Sequence, residues 1–173
     1  MQRVGLIGAG GIGNVHGECY RHIPEAKVVA VADLRRDRAD KLAVELGAQA
    51  VYDGDEVVGR SDVDVVDICV PTVHHCHFAE LAARAGKHVL CEKPMALNVE
   101  QGLRMLEAAE RHGVKLMVAQ VLRYFPENVS AKRVIDEGLI GKPVMARTYR
   151  GGVHPDRVRK WYGLIDISGG VIQ

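Results

Sequence analysis

Lys93 stands between an acid and a proline, in Glu92-Lys93-Pro94, immediately after the apolar run His88-Val89-Leu90-Cys91. Oxidising an alcohol by hydride transfer requires a group that takes the hydroxyl proton, and the reverse reaction requires a donor. A lysine amine partly withdrawn from water can have its pKa lowered and serve both near neutrality. The hydride also needs a carrier, and the N-terminal stretch offers a seat for one. Val4 to Gly13 reads Val-Gly-Leu-Ile-Gly-Ala-Gly-Gly-Ile-Gly, and Asp33 follows the last glycine by 20 positions. This is an apolar strand running into Gly8-x-Gly10-x-x-Gly13, with an acid at the distance of a dinucleotide's ribose. Gly8 lets the chain turn tightly, Gly10 lets the backbone approach a pyrophosphate, and Gly13 lets the next helix pack close to the sheet. A helix opening at Gly11 and Ile12 presents unpaired N–H groups and a positive dipole end to phosphates. Asp33 can accept hydrogen bonds from a ribose diol and would repel a 2′-phosphate, which favours NAD. Arg35, Arg36 and Arg38 follow it and could instead meet such a phosphate, so NADP stays open.

Strand-like apolar runs alternate with helical patterns, which predicts an α/β fold with a Rossmann-type, doubly wound parallel sheet. Strands are expected from Arg3, over Lys27 to Ala32, Ala48 to Tyr52, Val63 to Val70, His88 to Cys91 and Leu116 to Ala119. Helical faces are expected at Ile12, Val15, Cys19 and Ile23; at Ala39, Leu42, Ala43 and Leu46; at Phe78, Leu81, Ala82 and Ala85; and at Val99, Leu103 and Leu106. Residues 1–122 therefore read as a dinucleotide-binding domain. A further helix over 127–138 and a strand from Pro143 to Arg150 read as the start of an α+β second domain, 123–173, incomplete in this chain. In an open parallel sheet, ligands gather at the carboxyl ends of the strands. Besides the glycine loop, three segments reach that edge: Cys69 to His75, Cys91 to Pro94, and Gln120 to Pro126.

The balance of 23 basic and 22 acidic residues, net +1, shows no like-charge block, so neither nucleic acid nor an anionic membrane is an expected partner. The apolar runs are strand-length, and the first strand leaves no room for a cleaved signal, so a cytoplasmic protein is expected. Cys19, Cys69, Cys76 and Cys91 then read as reduced, mostly buried thiols. His74, His75, Cys76 and His77 are adjacent at a helix start and point in different directions, so no metal is expected. His16, on the first helix, reads as a packing residue. Arg123, Arg147, Tyr149, His154, Trp161 and Tyr162 mix hydrogen-bonding and aromatic groups suited to a polyol, and equally to a sheet face or subunit contact.

These residues resemble the glucose–fructose oxidoreductase, inositol dehydrogenase and rhizopine-catabolism oxidoreductases, the Gfo/Idh/MocA family. The resemblance runs from Gly8-Ala9-Gly10-Gly11-Ile12-Gly13 through Ala32-Asp33 and the Pro71 to His75 segment. It continues in Gly86-Lys87-His88-Val89-Leu90-Cys91-Glu92-Lys93-Pro94 and Leu122-Arg123-Tyr124-Phe125-Pro126. It implies an NAD(P)-dependent dehydrogenase acting on a secondary alcohol or carbonyl of a sugar, inositol or related polyol. It also implies a homo-oligomer assembled through a complete C-terminal domain. Lys93 would be catalytic, in contact with nicotinamide and substrate, with a cis Lys93–Pro94 bond. Val70, Pro71, His75, Glu92 and Gln120 would join the glycine loop and Asp33 at the cofactor; Arg123, His154 and Trp161 would face the substrate. Val70-Pro71-Thr72 departs from the family's Thr-Pro-Asn and loses a hydroxyl. Relatives follow a glycine-rich stretch with an aspartate and a histidine that complete the catalytic set; here the sequence runs from Ser168 through Gly169 and Gly170 to Gln173. A non-catalytic dinucleotide-binding or regulatory relative, or an inactive truncated fragment, is the alternative reading.

Overall fold

Strand β1 (Gln2–Ile7) alternates its side chains between two cores. Val4 and Leu6 enter a cluster with Val28, Val31, Leu42 and Ala43. Ile7 enters the opposite cluster, with Val57, Val66, Ile68, Ala79 and Met105. Gly5 points the same way as Ile7, and a Cβ there would lie 2.3 Å from Val57 Cγ1. A helix can press on the sheet at that point only because the side chain is missing.

The computed structural model describes residues 1–149 and 160–169. Six strands form one parallel sheet in the order β3-β2-β1-β4-β5-β6. The others are β2 (Ala26–Ala32), β3 (Gln49–Val51), β4 (Val65–Ile68), β5 (His88–Cys91) and β6 (Leu116–Val118). The helices are α1 (Gly11–Tyr20), α2 (Arg36–Leu46), α3 (Gly54–Gly59), α4 (His75–Arg84), α5 (Val99–Arg111), α6 (Pro126–Asp136) and the short α7 (Ile165–Ser168). The doubly wound sheet predicted from the alternation is therefore present, every strand within two residues of its expected ends. Stops and starts follow local chemistry. Gly47 ends α2 in the left-handed conformation, and the Asn98 side chain caps α5 by accepting from the Gln101 N–H. Among the described residues no helix is long and apolar enough to cross a membrane.

Two helices turn a different face inward from the one their apolar residues suggest. On α1 the buried residues are Gly13 and Gly17, while Cys19 is exposed and Val15 is 54% exposed; Ile23, beyond the helix's end at Tyr20, is 41% exposed. Close approach decides this. A Cβ on Gly13 would sit 1.9 Å from the Gly8 carbonyl oxygen, and one on Gly17 3.1 Å from Leu42 and Leu46. On α5 the buried residues are Met105 and Ala109, which leaves Val99, Leu103 and Leu106 outward. There α5 packs along α4, and the residues that meet it set the rotation. The strand expected from Pro143 is absent over 143–149, where Val144 and Tyr149 are almost fully exposed and no described strand lies alongside to pair with it. Arg150, at its expected end, lies outside the described residues.

The glycine geometry separates folding from binding. Gly13→Ala is expected to cost at least about 2 kcal/mol, because the added carbon meets backbone. Gly10→Ala, with nothing within 4 Å, is expected to stay within about 0.5 kcal/mol of the parent. Urea denaturation of the two variants measures this; equal losses would mean that the helix start is not set by close packing.

Candidate functional site

The parallel register lines up the strand ends. Ile7 pairs with Ala32 on one side and Ile68 on the other, Ile68 pairs with Cys91, and Cys91 with Val118. The residues that follow therefore stand in a row along one edge: Asp33, Gly8, Cys69 with Val70, Glu92 with Lys93, then Ala119 with Gln120. From Asp33 to Lys93 is three strand spacings, about 14 Å. The row crosses the point where the chain leaves β1 toward β2 on one side and β4 on the other, the usual ligand crevice of such a sheet.

At the β1 end, Gly8 turns with φ +101°, its N–H donating to the Ala32 carbonyl at 2.7 Å. A Cβ there would come within 2.6 Å of the Cys69 carbonyl oxygen. Asn14 donates to the carbonyls of Ala9 and Gly10. No side chain caps α1 and no acid lies in its first turn, so the N–H groups at Gly11 and Ile12 remain available to an anion. Asp33 has a second role that spacing alone does not reveal. Its Oδ2 accepts from the Ala9 N–H at 2.9 Å and its Oδ1 from the Arg35 N–H at 2.8 Å, so it ties the glycine loop to the end of β2. A carboxylate keeps further lone pairs for ribose hydroxyls. Of the nearby arginines, Arg35 pairs with Asp37, and Arg36 lies 4.3 Å over the Tyr52 ring.

The segments after β4 and β5 are held together from inside. His75 is 1% exposed, with Nδ1 2.9 Å from the Pro94 carbonyl and Nε2 2.9 Å from the Val70 carbonyl. Its ring thus clasps the two segments, and a contact from it to a cofactor is not what this geometry displays. The Lys93–Pro94 bond is cis, as the resemblance implied. Lys93 itself is exposed, whereas Glu92 is 6% exposed and turned inward. Glu92 Oε2 accepts from the Lys93 N–H at 3.0 Å, and Oε1 lies 3.2 Å from His16 Nε2. Both oxygens are thus engaged within the protein. Val70, beside Gly8, and Pro71 are half-buried; Gln120 and Arg123 are exposed beyond β6. Trp161 is half-buried in a turn leading to α7, which packs against Thr72–His74. His154 lies outside the described residues.

The sequence reading missed the cluster behind this turn. His16 Nδ1 is 2.8 Å from Asp67 Oδ2, Tyr20 donates its hydroxyl to the same oxygen at 3.0 Å, and Cys69 Sγ is 3.3 Å from His16 Nδ1. The available signal was Asp67 in Val65-Val66-Asp67-Ile68, a charge in an otherwise apolar strand, which needs a partner when buried. Burial disfavours a charged His16, but its bonds to Asp67, Cys69 and Glu92 outweigh this and push its pKa up to about 12. Burial likewise raises Glu92, and the bonds from His16 and the Lys93 N–H more than reverse it, leaving the carboxyl below its ordinary range. The Cys69 thiol is pushed by burial up to about 12, against the pull of His16.

His16, Asp67 and Cys69 also converge closely enough to suggest a metal. Ligand atoms around tetrahedral zinc stand roughly 3.3–3.7 Å apart. The 2.8 Å contact between His16 and Asp67 is a direct hydrogen bond instead. The histidines after β4 diverge: His75 holds backbone, and His77 reaches Asp55.

Because the folded-state pKa of His16 lies above its ordinary 6.5, its stabilisation is complete below that pH and is lost as pH rises toward about 12. The stability difference between the parent and His16→Gln is thus expected to be flat between about pH 5 and 6, above the range where the Glu92 carboxyl that His16 holds low would titrate. It should then shrink by up to about 1.4 kcal/mol per unit between about pH 7 and 9. Urea titrations across that range measure it, and a difference that stays flat from about pH 7 to 9 would show a ring already neutral there.

Comparison with known proteins agrees with this arrangement. Residues 2–120 match the oxidoreductase family described by its NAD-binding Rossmann fold. The chain is similar to a myo-inositol 2-dehydrogenase of Thermotoga maritima, 34% identical over 98% of this chain and 50% of that protein. A solved NAD binding oxidoreductase from Klebsiella pneumoniae is 41% identical with TM-score 0.76, over 83% of this chain and 40% of the other. A 3-ketoreductase from Actinomadura kijaniata, solved with NADP and TDP-benzene, is 33% identical with TM-score 0.76, over 82% and 44%. The chain spans about half the length of the curated relatives it matches. With the glycine loop, the acid after β2 and the Glu92-Lys93-Pro94 turn on one sheet edge, the chain belongs to the Gfo/Idh/MocA family of oxidoreductases.

Proposed function

We propose that this protein binds NAD, with NADP as the alternative cofactor, and moves a hydride between it and a secondary alcohol or carbonyl of a sugar, inositol or related polyol. The observation that carries this reading is the register that sets Lys93 three strands from Asp33, with the glycine loop between them. The open space at Gly10 fits a bound pyrophosphate, because the fold itself gives no reason to exclude a Cβ there. The nicotinamide supplies the hydride acceptor or donor. The chain's own residues do the rest. Asp33 takes the ribose hydroxyls, and the first turn of α1 takes the phosphates. The Lys93 amine receives the hydroxyl proton as the alcohol is oxidised and returns it in reduction. Val70, Pro71 and Gln120 flank the cofactor.

The same reading makes residues 123–173 the beginning of a substrate-binding and oligomerisation domain in a cytoplasmic protein. Exposed Leu122, Tyr124, Phe125, Leu139 and Ile140 support it, since apolar groups following a finished sheet suit a covering layer. Arg123, His154 and Trp161 would face the polyol.

In the complete protein, Lys93→Ala is expected to leave dinucleotide affinity within a few-fold and to lower turnover by roughly 10²–10⁴. NADH fluorescence titration and a polyol oxidation assay on the same preparations check both halves. Turnover at the parent's level would remove Lys93 from the chemistry, and dinucleotide binding with no polyol oxidised by the complete protein would favour a regulatory protein. Asp33→Ala is expected to weaken NAD more than NADP, because the carboxylate both holds the diol and repels a 2′-phosphate. Titrating both cofactors tests this; an unchanged preference would show that Asp33 serves the loop alone.

A further inference from the structure

Behind the Lys93 turn lies a chain of polar contacts that the proposed chemistry leaves unused. Tyr20 donates to Asp67, His16 bridges Asp67 and Glu92, and Glu92 accepts from the backbone N–H of Lys93. Asp67 is fully buried and Glu92 nearly so. A neutral imidazole has one N–H and one lone pair, so between two carboxylates its lone pair would face an acceptor. A doubly protonated ring donates to both. Two buried carboxylates need such a partner, and removing either side of a buried ion pair leaves an uncompensated charge.

The contacts come from three elements. His16 and Tyr20 lie on α1, Asp67 and Cys69 on and just after β4, and Glu92 directly after β5. The helix that opens at the glycine loop is thereby fixed to the turn that carries the lysine. From the other side, His75 spans the Val70 and Pro94 carbonyls, so the turn is gripped at both ends.

We infer that His16 is a positioning residue for Lys93: its ring, bonded at one nitrogen to Asp67 and at the other to Glu92, fixes the carboxylate that holds the Lys93 N–H, and so fixes where the Lys93 amine stands. The inference rests on the proposal that Lys93 handles the proton. His16 acts through Glu92 and touches no reactant. A misplacement of about 1 Å at a reacting group can cost about 10²-fold in rate, which sets the scale of the effect.

The test combines nuclear magnetic resonance with kinetics on the protein and on His16→Gln, Tyr20→Phe and Lys93→Ala. At about pH 8.5, well above the ordinary imidazole midpoint, both ring nitrogens of His16 should carry hydrogens in histidine-¹⁵N spectra. In His16→Gln the Lys93 amide should exchange at least about tenfold faster, while Leu6 and Val31 in the sheet centre keep their rates. Tyr20→Phe, which removes only the far contact, should leave the Lys93 amide within about twofold. In the polyol assay His16→Gln should lower kcat by about 10–100-fold with KM for the dinucleotide within a few-fold. If His16→Gln does not fold, Asp67→Ala removes the acceptor at the opposite end of the ring and should give the same local loss at Lys93.

A neutral His16 ring, an unmoved Lys93 amide, or a loss of protection spread evenly over the sheet would overturn the inference. Lys93→Ala at parental activity would refute the proton role and leave the exchange results to stand or fall alone. Lys93→Ala inactive beside His16→Gln at the parent's kcat would refute the positioning role alone.

Discussion

The parallel pairing of β1 with β4, and with β2 through a one-residue shift between Val4 and Gly5, is the constraint on which the rest depends. A parallel ladder brings the carboxyl ends of neighbouring strands to one edge, so loops that are far apart in sequence emerge side by side. Asp33, the glycine loop, Val70 and the Lys93 turn become neighbours for this reason. A one-residue slip of β5 against β4 would turn Glu92 to the opposite face and separate it from His16. Backbone register and polar chemistry are therefore one specification here.

Small residues allow the close approach that this arrangement needs. Gly5 admits α3 against the sheet, and Gly13 lets α1 begin against the Gly8 carbonyl. Once α1 is that close, His16 on its next turn reaches the end of β4 and the turn after β5. The glycine fingerprint accordingly serves two ends: it leaves open space at Gly10, and it brings the His16 ring under the sheet edge that carries the Lys93 turn. Asp33 is similarly double, suited by chemistry to a ribose and by geometry to the Ala9 N–H.

The helix faces show where pattern reading has a physical limit. Apolar periodicity measures which side of a helix dislikes water, and on α1 it selected Ile12, Val15, Cys19 and Ile23. The glycines at 13 and 17 carry no hydrophobic signal, yet contact distance puts them inward. On α5 the same limit hid Met105 and Ala109 behind the more conspicuous Val99, Leu103 and Leu106. Strands were easier, since their β-branched runs and bounding turns are local properties.

The amino-acid order alone determined the alternating strands and helices, the glycine turn with its acid, and the acid–lysine–proline turn, because each depends on neighbouring residues. Tertiary structure decided what the buried groups do. His16, Asp67 and Glu92 are separated by 51 and 25 positions along the chain, yet meet within 3.2 Å once the strands pair and α1 seats on its glycines. The burial of a charge is set by everything around it, and local sequence carries no measure of that.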